Sequence, residues 1–307
     1  MQYFKLSLIA LLLVAGCDGN PFVTDGTTDP GTDGETTSDF VLTGTTTNAT
    51  SGGSITRVEN QNTESGNGFA TGYSYDGEAD TFSVDNLAFD GENVYRRDAA
   101  FKASPTDAPG TLPTTGVNIF EGKNVVKDND GEVVDQFTYK ALYGVSTSGQ
   151  TEFAIVRTGS YVDYGFGGFV YKRNGKVTIP TVGQAHFEGD YSAIRDFSGP
   201  DTIPSGIEYV TGSTIVDIDF ADFNDITGTI GYGVKGYIYD REVYDVKGNN
   251  VTSGIVDALN GTEGTATELP VLVFDVGPGV ITSAGEVTSG VNSYNAVKAT
   301  KRAPIMR

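Results

Sequence analysis

Val117-Asn-Ile-Phe-Glu-Gly-Lys-Asn-Val-Val126 and Val133-Val-Asp-Gln-Phe-Thr-Tyr-Lys-Ala-Leu-Tyr-Gly-Val145 flank Lys127-Asp-Asn-Asp-Gly-Glu132. Both flanks are rich in β-branched and aromatic residues, and the segment between them is polar with a glycine. This pattern predicts a β-hairpin. Further runs of the same kind follow at Thr151–Thr158, Tyr161–Tyr171, Val182–Tyr191, Glu208–Phe220, Ile226–Tyr239, Leu269–Val276 and Val280–Val287. Gly165-Phe-Gly-Gly168 inside one run predicts a sharp bend, as at a barrel corner. Successive strands with short turns pair antiparallel and close into a barrel or fold into a sandwich.

Upstream the signal is weaker. Phe69-Ala-Thr-Gly-Tyr-Ser-Tyr75 alternates aromatic and small residues. Asp80–Phe89 sets Phe82 and Val84 on one face and then shifts parity at Leu87 and Phe89, so a bulge or turn is expected near Asp85-Asn86. Asp90-Gly91 is a turn signal. Pro105, Pro109 and Pro113 exclude a central strand over 104–116. No long window carries apolar residues at helical spacing, and 41 glycines supply turns, so the chain reads as all-β.

The N-terminus has its own logic. Lys5 precedes a nearly apolar stretch, Leu6 to Val14, too short for a bilayer span of about 20 residues. It fits the apolar core of a signal peptide. Leu13-Val14-Ala15-Gly16-Cys17 then resembles the bacterial lipobox, in which the cysteine thiol receives a diacylglyceryl group. Cleavage before Cys17 and its lipidation are expected, which leaves a lipid anchor in a membrane. Two or more acyl chains make a durable anchor. Cys17 is the one cysteine, so no intrachain disulfide can form. Residues 18–39 carry six acids, no base and few apolar groups; they read as a tether that holds a folded body away from the membrane.

The formal net charge of −20 opposes nucleic-acid binding, which needs a basic face. It suits a soluble body in an aqueous extracytoplasmic space.

Gly183-Gln-Ala-His-Phe-Glu-Gly-Asp-Tyr191 and Val216-Asp-Ile-Asp-Phe-Ala-Asp-Phe-Asn-Asp-Ile-Thr-Gly-Thr-Ile230 form a recognisable pair. Together they resemble the pattern Gly-x-Ala-x-Tyr-x-Gly, a strand ending in Asp-Phe, then x-x-Leu-x-Gly-x-Ile. That pattern marks the β-barrel domain of transferrin-binding protein B and related surface lipoproteins. Phe187 stands where the pattern has Tyr, and Ile226 where it has Leu. The resemblance covers roughly residues 181–290. It implies a barrel in which Gly189 and Gly228 relieve crowding at bends. Asp219-Phe220 would end a strand with one polar and one buried residue. The chain departs from the pattern after residue 295: Ala296–Arg307 carries four bases and no acid in place of a closing Gly-rich strand pair. Closure of the barrel at that end is left open.

The expected organisation is a signal peptide at 1–16, lipidated Cys17 with its tether through 39, a smaller β region at 40–115, an antiparallel barrel of about eight strands at 116–295, and an atypical basic tail at 296–307.

The chemistry-bearing residues are sparse. His186 is the single histidine and lies mid-strand, where a solvent-facing role is expected; no nucleophile signature accompanies it. One histidine and a lipidated cysteine cannot build a His/Cys zinc site. Asp217 and Asp219 share a strand face, the arrangement a carboxylate pair would need. Asp128-Asn-Asp-Gly-Glu132 begins like a calcium loop, but position 137 is Phe where the loop needs Glu, which favours a plain turn. Gly165–Gly168 lacks the Lys-Ser/Thr of a phosphate loop. No cofactor and no catalytic residue are assigned.

The expectation is therefore a non-catalytic, membrane-anchored binding lipoprotein of the bacterial envelope, in the outer membrane, with its periplasmic or surface face undecided. The resemblance implies an architecture and carries over no ligand-contacting residue; by analogy with such lipoproteins the expected partners are a host or environmental protein or an iron-carrying ligand, and an outer-membrane transporter. A structural or adhesive envelope lipoprotein without a soluble ligand is the alternative, and an envelope hydrolase using carboxylates a third reading.

Overall fold

In the computed structural model the described residues are 53–85, 94–127, 129–131, 133–158, 166–178, 180, 182–197, 206–220, 234–260, 266–276, 285–287 and 291–294. The signal peptide, Cys17, the tether, Leu87 and Phe89, Asp90-Gly91, Gly165, Ile226, Gly228 and the basic tail lie outside them.

The strands in chain order are β1 (Ile55–Val58), β2 (Gly72–Asp76), β3 (Thr81–Asp85), β4 (Val94–Arg97), β5 (Asn118–Lys127), β6 (Val133–Val145), β7 (Thr151–Arg157), β8 (Gly167–Arg173), β9 (Gln184–Phe197), β10 (Gly206–Asp219), β11 (Val234–Tyr244), β12 (Val271–Val276) and β13 (Val291–Tyr294). The first eight form one antiparallel sheet, ordered β1-β8-β7-β6-β5-β4-β3-β2, which curls into a nearly closed barrel. The last five form a separate antiparallel sheet, ordered β13-β12-β11-β10-β9. The described residues are all-β apart from one short helix.

The central hairpin forms as the sequence predicts. Val126 pairs with Val134 and Lys127 with Val133 across a turn in which Gly131 takes a positive φ of 83°. Side chains alternate along each strand. On the inner face Phe82, Val84, Tyr95, Phe120, Tyr139, Ala141, Tyr143, Ala154, Val156 and Val170 pack into one cluster. Gly122 is required there, because a Cβ on it would meet the Tyr95 ring at 2.7 Å. Barrels of about eight strands are filled by their own side chains.

The 104–116 segment carries no strand, only an isolated bridge from Thr111 to Asn118. The strands on either side of it nevertheless share one sheet: Arg96 pairs with Glu121 and Arg97 with Phe120. The division anticipated at 115–116 thus falls inside the eight-stranded sheet, and the smaller sheet follows the larger along the chain. Prolines bar strand pairing within the crossover without separating the strands that it joins.

The outer face of the barrel sheet meets the smaller sheet. Ile119, Leu142, Phe153 and Ile155 pack with Ile194, Ile207, Tyr209 and Tyr244. Farther out, the smaller sheet builds its own core from Val216, Ile218, Val234, Ile238, Leu272 and Phe274. Helix α1 (Thr252–Asn260) covers part of this core with Val256. The Asn250 side chain accepts the Thr252 N–H at 3.0 Å, which caps the helix. The sequence reading does not anticipate this helix; nine residues are too few for a periodic signal to stand out.

Candidate functional site

The residues most available for recognition lie at one end of the barrel. The β2–β3 turn is built locally: the Asp76 carboxylate accepts the N–H groups of Glu78 at 2.9 Å and Ala79 at 3.2 Å. Asp80 completes the turn at a positive φ of 50°. That position sets the Asp80 carboxylate against Arg97, whose Nε and Nη2 donate to its two oxygens at 3.0 and 2.6 Å. The guanidinium holds the Asp80 carboxyl below its ordinary value. Arg97 also lies over the Phe120 ring at 4.8 Å.

Tyr75 stands beside this pair. Its hydroxyl donates to Asp80 at 3.1 Å, and its ring lies 5.1 Å from that of Tyr143 and 5.9 Å from that of Phe120. It is 37% exposed, the one aromatic among the exposed large hydrophobic residues described. Behind it Tyr73 contacts Tyr143 at 5.7 Å and Phe82 at 5.9 Å. Lys172 reaches across from β8, its Nζ 3.9 Å from the Tyr73 ring centre and 3.4 Å from the Tyr73 carbonyl. This contact spans the gap between β2 and the β1–β8 edge. Tyr143 donates to Glu152 at 3.1 Å. Burial first, then the charge of Glu152, pushes both the Tyr73 and Tyr143 hydroxyls well above their ordinary range. The Tyr73 hydroxyl is buried and makes no hydrogen bond among the described residues. The end of the barrel is therefore an aromatic cluster with one ring open to solvent and charged groups at its rim.

The second cluster surrounds His186, on the face of the smaller sheet away from its core. His186 sits opposite Asp217 in the β9–β10 register. Its Nδ1 lies 2.5 Å from the Asp217 carboxylate and its Nε2 3.2 Å from that of Glu188. These two hydrogen bonds, Asp217 first, raise the imidazole above its ordinary value. The histidine side chain is about half exposed, as the sequence predicts for a solvent-facing strand position. Asp217 and Asp219 do share a face, but each has its own cross-strand partner: Gln184 donates to Asp219 at 2.7 Å. Phe220, just beyond β10, is buried.

Among the described residues no group of three or more His, Cys, Asp or Glu side chains is arranged to hold a metal ion. Asp130 and Gly131 lie in the exposed β5–β6 turn; Asp128 and Glu132, and with them the full calcium-loop expectation, fall outside the described residues. No described helix is long and apolar enough to cross a membrane.

No family model, curated protein or solved structure matches this chain. Sequence reading identifies Phe82 and the Phe69–Tyr75 run as β residues without joining them to Tyr143, Glu152 and Lys172. The available signal is the excess of tyrosine, 16 residues in a chain without tryptophan.

Proposed function

We propose that the protein is a membrane-anchored, non-catalytic binding lipoprotein, tethered through Cys17, that captures a protein or solute ligand at the aromatic end of its barrel. The observation that carries this reading is Tyr75: a half-open ring backed by Tyr143, Tyr73 and Phe120, with Arg97 and Lys172 fixed at its margin. Tyrosine and arginine are enriched among the residues that dominate the energetics of protein interfaces, tyrosine because its rigid ring buries a large area at low entropic cost and arginine because its planar fork donates several hydrogen bonds. The resemblance to transferrin-binding protein B rests on residues of β9 and β10 in the smaller sheet; it suggests an iron-carrying ligand and an outer-membrane transporter as partner without locating either on the barrel. The tether of residues 18–39 gives the bound ligand a high local concentration near such a partner.

Protease treatment of intact cells, with blotting for this chain, tests the setting. Loss of the body while a periplasmic control survives supports display at the surface. Survival until the outer membrane is opened sinks capture of a host protein. Affinity capture from the growth medium, with wild type and Tyr75→Ala side by side, tests the site. Loss of the captured species with Tyr75→Ala is expected; equal capture by both forms would move recognition away from this end of the barrel.

A further inference from the structure

The outer face of the barrel sheet carries a cluster that binding does not use. Lys140 on β6 lies directly opposite Glu121 on β5 in the strand register, and the two side chains are hydrogen-bonded. The Nζ of Lys140 also lies 2.6 Å from Oδ2 of Asp98, which follows β4. Asp98 is fixed from both ends: its backbone N–H donates to Ile119 at 2.9 Å, and its Oδ1 accepts the Ala100 N–H at 3.0 Å. Asp98 is 2% exposed and Lys140 7%. Fully buried Phe101 and Tyr209 stand against each other at 5.3 Å between the sheets. The Tyr209 hydroxyl makes no hydrogen bond among the described residues, and the charges of Asp98 and Glu121 help burial to raise it. An amine and a carboxyl are thus held in contact, away from water, with a second carboxylate on the same amine.

We propose that Lys140 and Asp98 join in an intramolecular amide bond, with Glu121 as the proton carrier. Glu121 takes a proton from the Lys140 ammonium, and the freed Nζ lone pair attacks Cγ of Asp98. A C–N bond forms and the Cγ–Oδ2 bond breaks. Oδ2 leaves as water with two of the three ammonium protons, the first delivered by Glu121. One proton stays on the amide nitrogen, so the ion pair becomes a neutral amide plus one water, with no oxidant or co-reactant. Oδ1, already held by the Ala100 N–H, becomes the amide oxygen. Holding the reacting groups in contact replaces the entropic cost that makes such a condensation slow in water. The bond ties the end of β4 to β6 across β5, in a chain whose single cysteine permits no disulfide.

The test is tryptic peptide mapping of the full-length purified protein by mass spectrometry. Cleavage at Lys140 should be blocked, and the peptide Asp98–Lys102 should appear joined to residues 128–157, lighter than their sum by one water. Lys140→Arg keeps the positive charge, so a folded variant should release Asp98–Lys102 as a free peptide. Glu121→Gln keeps the shape and should cut the branched product at least about tenfold, the scale of a lost proton-transfer group. Asp98→Asn should lose ammonia in place of water when it reacts. Free Asp98–Lys102 and normal cleavage at Lys140 in the wild-type protein overturn the proposal. A branch to residues 103–123, which contain Glu121, overturns the assignment of Asp98.

Discussion

The two faces of the barrel sheet solve different problems. Among the described side chains the inner face is largely aromatic and aliphatic: Phe82, Tyr95, Phe120 and Tyr139 are fully buried, and charged groups such as Arg97 and Lys172 stand at the open end. Among the described residues the outer face buries three ion clusters. Arg57 donates to Glu286 at 2.7 and 2.5 Å. Arg157 lies 3.2 Å from Asp196 and 3.8 Å from Glu59, and donates to Asn67 at 2.6 Å. Lys140 bridges Asp98 and Glu121. Apolar contact rewards burial in many arrangements, whereas a buried ion pair rewards only one. Glu286 and Asp196 belong to the part of the chain that builds the smaller sheet. The hypothesis that follows is that the inner face supplies stability and the outer face fixes how the second sheet sits on the first.

Two substitutions, read together, test that division. Phe82→Ala removes a central ring and should cost about 3–5 kcal/mol in a denaturant titration, the range for a large aromatic lost from a core. Arg57→Met leaves the Glu286 carboxylate buried with its bidentate partner gone and should cost about 3 kcal/mol, the low end for breaking a buried pair. The double change Arg57→Met with Glu286→Leu separates stability from specificity. Recovery of most of the loss, with altered protease susceptibility at the junction of the sheets, supports the hypothesis. No recovery means that the pair stabilises outright.

Much of this architecture was legible from local pattern. β6 runs from Val133 to Val145, and β7 from Thr151 to Arg157, as the apolar runs predict. Phe82 and Val84 share a buried face, as their spacing requires. The ends of β9 were harder to place. That strand continues past Tyr191 to Phe197 because Ser192–Ile194 is buried against β10 and the barrel, and such burial leaves no alternation to read. The aromatic end was not legible as a site. Tyr75, Tyr143 and Lys172 come from distant strands, and only sheet closure brings them together. The Asp98–Glu121–Lys140 cluster was hidden for the same reason: its register is a property of pairing, not of spacing along the chain.

The Arg157 cluster yields a smaller effect, read through pH. Burial, more than the charge of Glu59, raises the Asp196 carboxyl from 3.8 to about 6, and burial likewise raises Glu59. The folded state therefore holds these protons more tightly than the unfolded chain. Stability from Asp196 is greatest below its unfolded value and declines as pH rises towards about 6. Between pH ~5 and ~7 the wild-type protein should lose about 1 kcal/mol more than Asp196→Asn, since one pH unit on one proton is worth about 1.4 kcal/mol. Urea midpoints at the two pH values measure this. Equal losses would mean that Asp196 titrates normally and that the junction is wetter than its burial implies.

The smallest effect belongs to the half-exposed His186 on β9 of the smaller sheet. His186 is the only histidine, so its ring resonances can be followed by NMR without assignment by mutation. Hydrogen bonds to Asp217 and then Glu188 raise it above 6.5. The stabilisation it brings is complete below that unfolded value and is lost as pH rises through the higher folded one. The imidazole is half exposed while Asp217 is buried, so solvent screens the pair in part, and the stability change should be small while the titration midpoint moves clearly. Asp217→Asn should shift that midpoint down, and Glu188→Gln should shift it less, in the order of their influence on the ring. An unchanged midpoint in Asp217→Asn would show that the cross-strand contact does not persist in solution. His186 would then be a solvated side chain, and the contrast with the buried ion clusters of the barrel junction would be sharper still.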